Sequence, residues 1–291
     1  MIISFAGKGG AGKTTLAALL LDELARRHFD RKLLVIDADP AATLAMTLAL
    51  EAPAATLAEI RDSTPLDAGQ IRRLPPGTSP AAFVRDRLKS RGAIARRRLR
   101  ELDFDFLQMG RGQGPGCFCR INQALSQALA SIQAEYDLIL IDNEAGLEHI
   151  SRYRLNRVDL LLTVLTPAQT ARQVANHIRD TAAEIGLTIG QSWELYNRVD
   201  ENCRLGVPGP RTLLLPECPV LPVLDRKGGP VHALVDSHPL RQALAPMTEQ
   251  ILTATGQAQG LMVSWPVATG GERLPEIEAE LEPFSPLGVG G

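Results

Sequence analysis

Apolar residues gather in short strand-sized runs at 2–6, 32–37, 104–109, 136–142, 158–165, 193–198 and 219–223. Bounded by Gly, Pro or charged residues, such runs predict buried strands. Between them lie stretches with a helical pattern, as in Leu16-Ala17-Ala18-Leu19-Leu20-Leu21 after the first run. The alternation predicts an α/β fold, a mostly parallel central sheet with helices on both faces. Leu160-Leu161-Leu162-Thr163-Val164-Leu165, apolar on both sides, fits a strand covered by helices above and below. The pattern lasts to about residue 255, so one domain over 1–255 accounts for it. Residues 256–291, rich in Gly, Pro and acidic side chains without a period, read as a flexible tail.

Composition narrows the setting. The 291 residues are 45% hydrophobic and 4% aromatic, with a net charge of −2. No apolar run approaches the ~20 residues of a spanning helix, and the first strand begins without a signal-peptide pattern. A cytoplasmic location is expected, with neither nucleic acid nor membrane as partner. The four cysteines are too few for a disulfide scaffold. Eight Lys or Arg residues and one Asp between Arg85 and Arg100 read as a solvated helix face or, alternatively, as a docking site for an acidic client enzyme. A nucleic-acid arm is disfavoured because no aromatic residue interleaves with them.

Specific chemistry begins after the first run. Gly7-Lys8-Gly9-Gly10-Ala11-Gly12-Lys13-Thr14-Thr15 completes the phosphate-loop pattern G-x-x-x-x-G-K-[ST] between a strand and a helix. Backbone N–H groups from Gly9, Gly10, Ala11, Gly12 and Lys13 would face phosphate oxygens. Lys13 would neutralise the outer phosphates, Thr14 would offer its hydroxyl to Mg²⁺, and Thr15 completes the motif. Two later strands deliver acids to their C-terminal ends: Asp37 and Asp39 in Asp37-Ala38-Asp39-Pro40, and Asp142 after Leu138-Ile139-Leu140-Ile141. Ligands bind at that edge in open α/β sheets. Asp142 would hold Mg²⁺ through water, and three acids there would be costly without a cation.

Cys117-Phe118-Cys119 follows the glycine-rich Gly110–Gly116 stretch. Two thiolates one residue apart can bind one soft ion but do not complete its shell. A twofold dimer would supply four, enough for tetrahedral Zn²⁺ or for Ni²⁺. An unligated half-buried pair is the plainer alternative. A disulfide across one residue is strained. Cys203 and Cys218 show no comparable spacing and read as packing residues.

Lys8-Gly9-Gly10-Ala11-Gly12-Lys13-Thr14-Thr15 resembles the K-G-G-x-G-K-[ST]-[ST] loop of the deviant Walker A family, which includes MinD, ParA and the nitrogenase iron protein. The resemblance implies an ATP-dependent homodimer in which Lys8 reaches the partner's phosphates, Asp39 positions the attacking water and Asn197 reads the adenine edge. Asn197-Arg198-Val199-Asp200 also resembles the N-K-x-D of GTPases, where the acid selects guanine. Asp142-Asn143-Glu144-Ala145-Gly146-Leu147-Glu148-His149 is similar to the D-x-E-A-G-x-E-H element of CooC-type ATPases, nickel-insertion accessory proteins for carbon monoxide dehydrogenase. That likeness, over about residues 1–255, implies ATP, Mg²⁺ and Ni²⁺ as cofactors, with Zn²⁺ as a competitor. It also implies the dehydrogenase apoenzyme as client. Glu144, Glu148 and His149 would then relay nucleotide state to the cysteine loop, or the acids would pair with Arg152, Arg154 and Arg157. Thr43 and Arg120 depart from the family's usual residues. The other reading is a MinD- or ParA-like partition or positioning ATPase that binds DNA or membrane.

Overall fold

The structure, a computed structural model, describes residues 1–64, 72–110, 119–144, 146–147, 157–168, 170–200, 203, 209 and 211–256, with the side chains of Cys119 and Arg120 outside that description. Among the described residues eight strands form one sheet: β1 (Ile2–Gly7), β2 (Leu33–Asp37), β3 (Ile94–Leu99), β4 (Leu102–Gln108), β5 (Leu138–Asp142), β6 (Arg157–Leu165), β7 (Thr188–Val199) and β8 (Thr212–Pro216). Their order is β3-β4-β2-β5-β1-β6-β7-β8. Every neighbouring pair is parallel except β3–β4. The α/β sandwich expected from the apolar pattern is therefore present. The helices used below are α1 (Lys13–Arg26), α2 (Leu44–Thr47), α3 (Leu57–Asp62), α4 (Pro80–Ser90), α5 (Cys119–Gln133), α6 (Ala171–Glu184), α7 (Val220–Arg226) and α8 (Pro239–Gly256).

Strand alternation splits the core in two. Leu33, Val35, Leu138 and Leu140 pack with α1 and α8 in one cluster. Leu34, Ile36, Ile139 and Ile141 point to the opposite face and pack with α4, α5 and α6. Both faces are thus dry, which is why β2 and β5 are apolar throughout rather than alternating. The same period of two puts Asp37 and Asp142 on the α1 face, at strand ends that lie directly opposite in register.

Two expectations need correction. Residues 219–223 are not a strand: Pro219 caps α7, which runs through Val220–Arg226, and the last strand is instead Thr212–Pro216. Proline lacks the N–H a central ladder needs but is tolerated in a helix's first turn, so Pro219 and Pro222 favour the helix. The basic stretch is not one helix face either. α4 ends at Ser90, and Ile94–Leu99 forms the antiparallel edge strand β3. Its register pairs Arg96 with Asp105 and Arg98 with Asp103, so opposite charges face each other across the hairpin. Arg85 and Lys89 meet Glu135, and Arg98 meets Glu101. Arg97 donates to the carbonyls of Glu51 and Ala52 at 2.7 Å each. The charge is largely answered within the chain, and the arginines leave a polar edge strand that resists pairing with other chains. The tail expected over 256–291 lies outside the described residues beyond Gly256.

α1 is buried on nearly every side and carries two acids, Asp22 and Glu23, into the interior. Buried charges need partners. Arg241 of α8, itself 2% exposed, donates to Glu23 Oε1 at 2.6 Å and to the Leu234 carbonyl at 2.9 Å. It also lies 2.7 Å from Asp22 Oδ2 as an ion pair. Arg26 and Arg100 bond Asp22 as well. Burial alone would push the Asp22 carboxyl up; the bond from Arg100, the charge of Arg241 and the bond from Arg26 together hold it below its usual value. The network locks the helix that begins at the phosphate loop onto α8. Arg241→Ala should lower unfolding stability by about 3 kcal/mol, because it removes the hydrogen-bonded partner of buried Glu23 and one of the three arginines around buried Asp22. The drop should appear as a lower urea midpoint. Since a depressed carboxyl contributes stability at neutral pH that is lost on acidification, the gap between variant and wild type should narrow as pH falls.

Candidate functional site

β1 ends at Gly7, whose φ of +148° and close contact with β6 exclude a side chain: a Cβ there would stand 2.2 Å from the Val164 carbonyl oxygen. The chain then turns, with Ala11 N–H donating to the Lys8 carbonyl at 3.2 Å, and Gly12 at φ +99° leads into α1. No side chain caps that helix and no acid lies in its first turn. Its N-terminal N–H groups and positive dipole end are left for an anion. Lys13 is buried and donates to the Lys8 carbonyl at 3.3 Å. Burial lowers its pKa, against the opposing charges of Asp142, Asp39 and Glu144. Lys8 itself is exposed.

The acids divide into different roles. Asp37 is fully buried but satisfied, its Oδ1 accepting from Asp39 N–H at 3.2 Å and its Oδ2 from Leu44 N–H at 3.1 Å. It organises the loop after β2 and caps α2. Burial raises its pKa to about 6 despite those bonds. The expectation that every strand-end acid needs a cation is therefore corrected for Asp37, since backbone amides serve it. Asp39 is half-buried and accepts from Ala41 N–H at 2.8 Å. Asp142 is the exception: it is 0% exposed, and neither carboxylate oxygen has an aligned hydrogen bond. Burial pushes its pKa to about 7; the Thr14 hydroxyl and the Lys13 charge oppose the shift, while Asp37 and Asp39 add to it. An orphaned carboxylate facing a hydroxyl at the mouth of a phosphate loop fits an oxygen-loving divalent cation such as Mg²⁺. Thr14 and Asp142 are the residues that could hold one.

Neighbouring Asn143 was not singled out from the sequence. Its Nδ2 donates to Ser4 Oγ and to the Phe5 carbonyl, both at 2.7 Å, tying the end of β5 to β1. The sequence signal was Ser4, a polar residue inside an apolar run.

A cavity of about 540 Å³ opens beside the loop, lined by Gly12, Thr15, Asn197, Glu217, Cys218 and Leu221 among others. Asn197 is buried and donates through Nδ2 to the Ala11 carbonyl at 2.8 Å. The cavity's far wall comes from α7 and the residues just before and after it, Glu217, Cys218, Gly228 and Gly229, the region expected to be a strand at 219–223. Cys218 is buried in the α1-side core, in keeping with packing. Cys117 and the side chain of Cys119 lie outside the described residues, as do Glu148, His149, Arg152 and Arg154. Arg157 pairs with Asp159 at 2.7 Å. β4 ends at Gln108, and Gly110 is the last described residue before the cysteines. That strand is three places from β1, roughly 14 Å away along the C-terminal edge. At Gly110 φ is +69°, and a Cβ would stand 2.5 Å from Thr56 Oγ1, the α3 cap. Among the described residues no group of three or more His, Cys, Asp or Glu side chains could hold a metal ion, and no helix is long and apolar enough to cross a membrane.

A family model described as "AAA domain" matches residues 1–193. An uncharacterized ATP-binding protein of Methanocaldococcus jannaschii is 31% identical over 199 residues, 68% of this chain and 75% of the relative. The carbon monoxide dehydrogenase accessory protein CooC of Rhodospirillum rubrum is 30% identical over 192 residues, 64% of this chain and 71% of that protein. The septum site-determining protein MinD from Pyrococcus horikoshii, solved with Mg-ADP, superposes with a TM-score of 0.60 at 21% identity, covering 88% of this chain and 97% of MinD.

The raised pKa of Asp142 makes a signed prediction. A carboxyl whose folded pKa lies above its unfolded value binds more protons when folded, so it erodes stability as pH rises from about 4 towards 7. Asp142→Asn mimics the protonated acid. Without nucleotide or divalent cation, the variant should match wild type only below about pH 4 and exceed it increasingly up to pH 8, by on the order of a few kcal/mol, in thermal or urea unfolding. Adding Mg²⁺ with ATP should remove that advantage.

Proposed function

This chain belongs to the AAA domain family of ATP-binding P-loop ATPases, and on that premise we propose that it is an ATP-driven metallochaperone that dimerises and delivers nickel to carbon monoxide dehydrogenase. The phosphate loop from Gly9 to Thr15 binds ATP, with Lys13 on the outer phosphates and Asn197 beside the base. Lys8, exposed at the loop's rim, reaches the partner subunit's nucleotide, so the active site is complete only in the dimer. Asp39 orients the attacking water. Mg²⁺, held by Thr14 and by Asp142 through water, supplies positive charge for the phosphate oxygens.

Nickel delivery is carried by Cys117 and Cys119, which follow β4 in sequence, in a chain 30% identical over 192 residues to CooC. Two such pairs across a dimer axis make a four-thiolate site suited to Ni²⁺ or Zn²⁺. Nucleotide state would alter the spacing of the subunits and with it the geometry of the thiolates. The MinD-like superposition speaks to the fold alone, and the basic stretch expected to dock a client is largely occupied by internal ion pairs.

Titrating the reduced dimer with Ni²⁺ should give one ion per dimer with thiolate charge-transfer absorbance, both lost in Cys117→Ser/Cys119→Ser. Equal weak binding by both proteins would end the nickel reading. Separately, Lys8→Ala should still bind ATP as a monomer but lose ATP-dependent dimerisation, measured by light scattering after size exclusion. Its hydrolysis should fall by at least tenfold, since a transition-state cation has been removed.

A further inference from the structure

Asn197 stands at an irregularity that a strand would not adopt without cause. The pairing of β7 with β8 slips between Tyr196 and Val199, and Arg198 sits at φ +63°, a left-handed conformation that costs energy for a residue with a Cβ. Bulges next to binding sites re-aim a side chain. Here the side chain turns away from the ladder towards the phosphate loop. Its Nδ2 donates to the Ala11 carbonyl at 2.8 Å, and its Oδ1 accepts from Arg198 N–H at 3.0 Å, which fixes the amide's orientation. The loop is shaped to receive it: a Cβ on Gly12 would come within 2.4 Å of Asn197 Nδ2. Glycine at 12 therefore leaves room for the asparagine, besides meeting the positive φ there.

We propose that Asn197 is a positioning residue for the phosphate loop, holding the Ala11–Gly12 peptide so that the loop's N–H groups are set for an anion before any nucleotide arrives. Base contact then comes through a side chain already anchored to the phosphate end, so both ends of the site share one fixed amide. The proposal rests on the ATP-site reading and goes beyond the role of adenine reader.

Two measurements on the full chain test it. The first uses hydrogen exchange of the nucleotide-free protein: Asn197→Ala should raise exchange in residues 8–15 severalfold while α8 and the distant strands stay protected. Asn197→Asp keeps the size and the acceptor for Arg198 but sets oxygen against the Ala11 carbonyl; it should loosen the loop at least as much and guards against a loss caused by a cavity. The second compares Mg²⁺-tripolyphosphate, which has no base, with Mg²⁺-ATP by calorimetry. Tripolyphosphate should weaken about tenfold, the usual cost of leaving a buried group unpaired, and ATP by at least that factor. A variant that weakens only ATP, with loop exchange and tripolyphosphate binding unchanged, would overturn the proposal and leave Asn197 as a base reader. Failure of the wild type to bind either ligand would instead strike the ATP-site reading, and loop exchange would still decide the role of Asn197.

Discussion

Keeping the Asp142 carboxylate out of water with only the Thr14 hydroxyl and the Lys13 charge to oppose its burial costs on the order of a few kcal/mol, and the residues around it answer that cost. Strand alternation turns Asp142 towards α1, where Thr14 and Lys13 face it. Asn143 clamps the end of β5 to β1 so that the acid cannot withdraw towards solvent. Asp37, directly across the register, faces the same burial but is satisfied by two backbone amides. Only one of the two adjacent acids is left waiting for a cation. A carboxylate poised in this way is stable as the neutral acid or with a metal, and least stable as a bare anion.

The site is assembled from segments far apart in sequence because the sheet order places β5 between β1 and β2. The crossover brings the phosphate loop, the β2 loop and the β5 terminus to one edge. Two further devices stiffen that arrangement from opposite sides. At the far end of α1, Arg241 joins Asp22 and Glu23 to α8. At its near end, the β7 irregularity presses Asn197 against the loop. The helix that carries Lys13 and Thr14 is thus held at both ends, which is what a preorganised anion site requires.

The arginine-rich stretch shows how charge can specify structure without making a binding surface. Arg96 and Arg98 on β3 answer Asp105 and Asp103 on β4. The tight turn between them puts Arg100 at φ +52° and sends its side chain to Asp22. Read one residue at a time, the run is merely basic. Paired with the acids five and nine positions on, it is a hairpin, and the R-x-R and D-x-D spacing is visible in the chain.

Short-range rules settled much of this protein in the sequence alone. The phosphate loop, the apolar strands β1, β2, β4, β5, β6 and β7, and the acids at their ends all follow from periodicity, glycine placement and local chemistry. Position along the strands was enough to put Asp37 and Asp142 at the working edge. What the sequence could not decide were matters of contact between distant segments. Proline placement made 219–223 a helix, but only packing shows it walling a cavity beside Gly12. Asp37 and Asp142 look alike in sequence, and burial treats them alike; the backbone amides of a neighbouring loop tell them apart. Asn197 reads as a base contact until the β7 irregularity aims it at Ala11. Tertiary structure decided these points because hydrogen-bond partners, unlike hydrophobic periodicity, are not encoded by near neighbours in the chain.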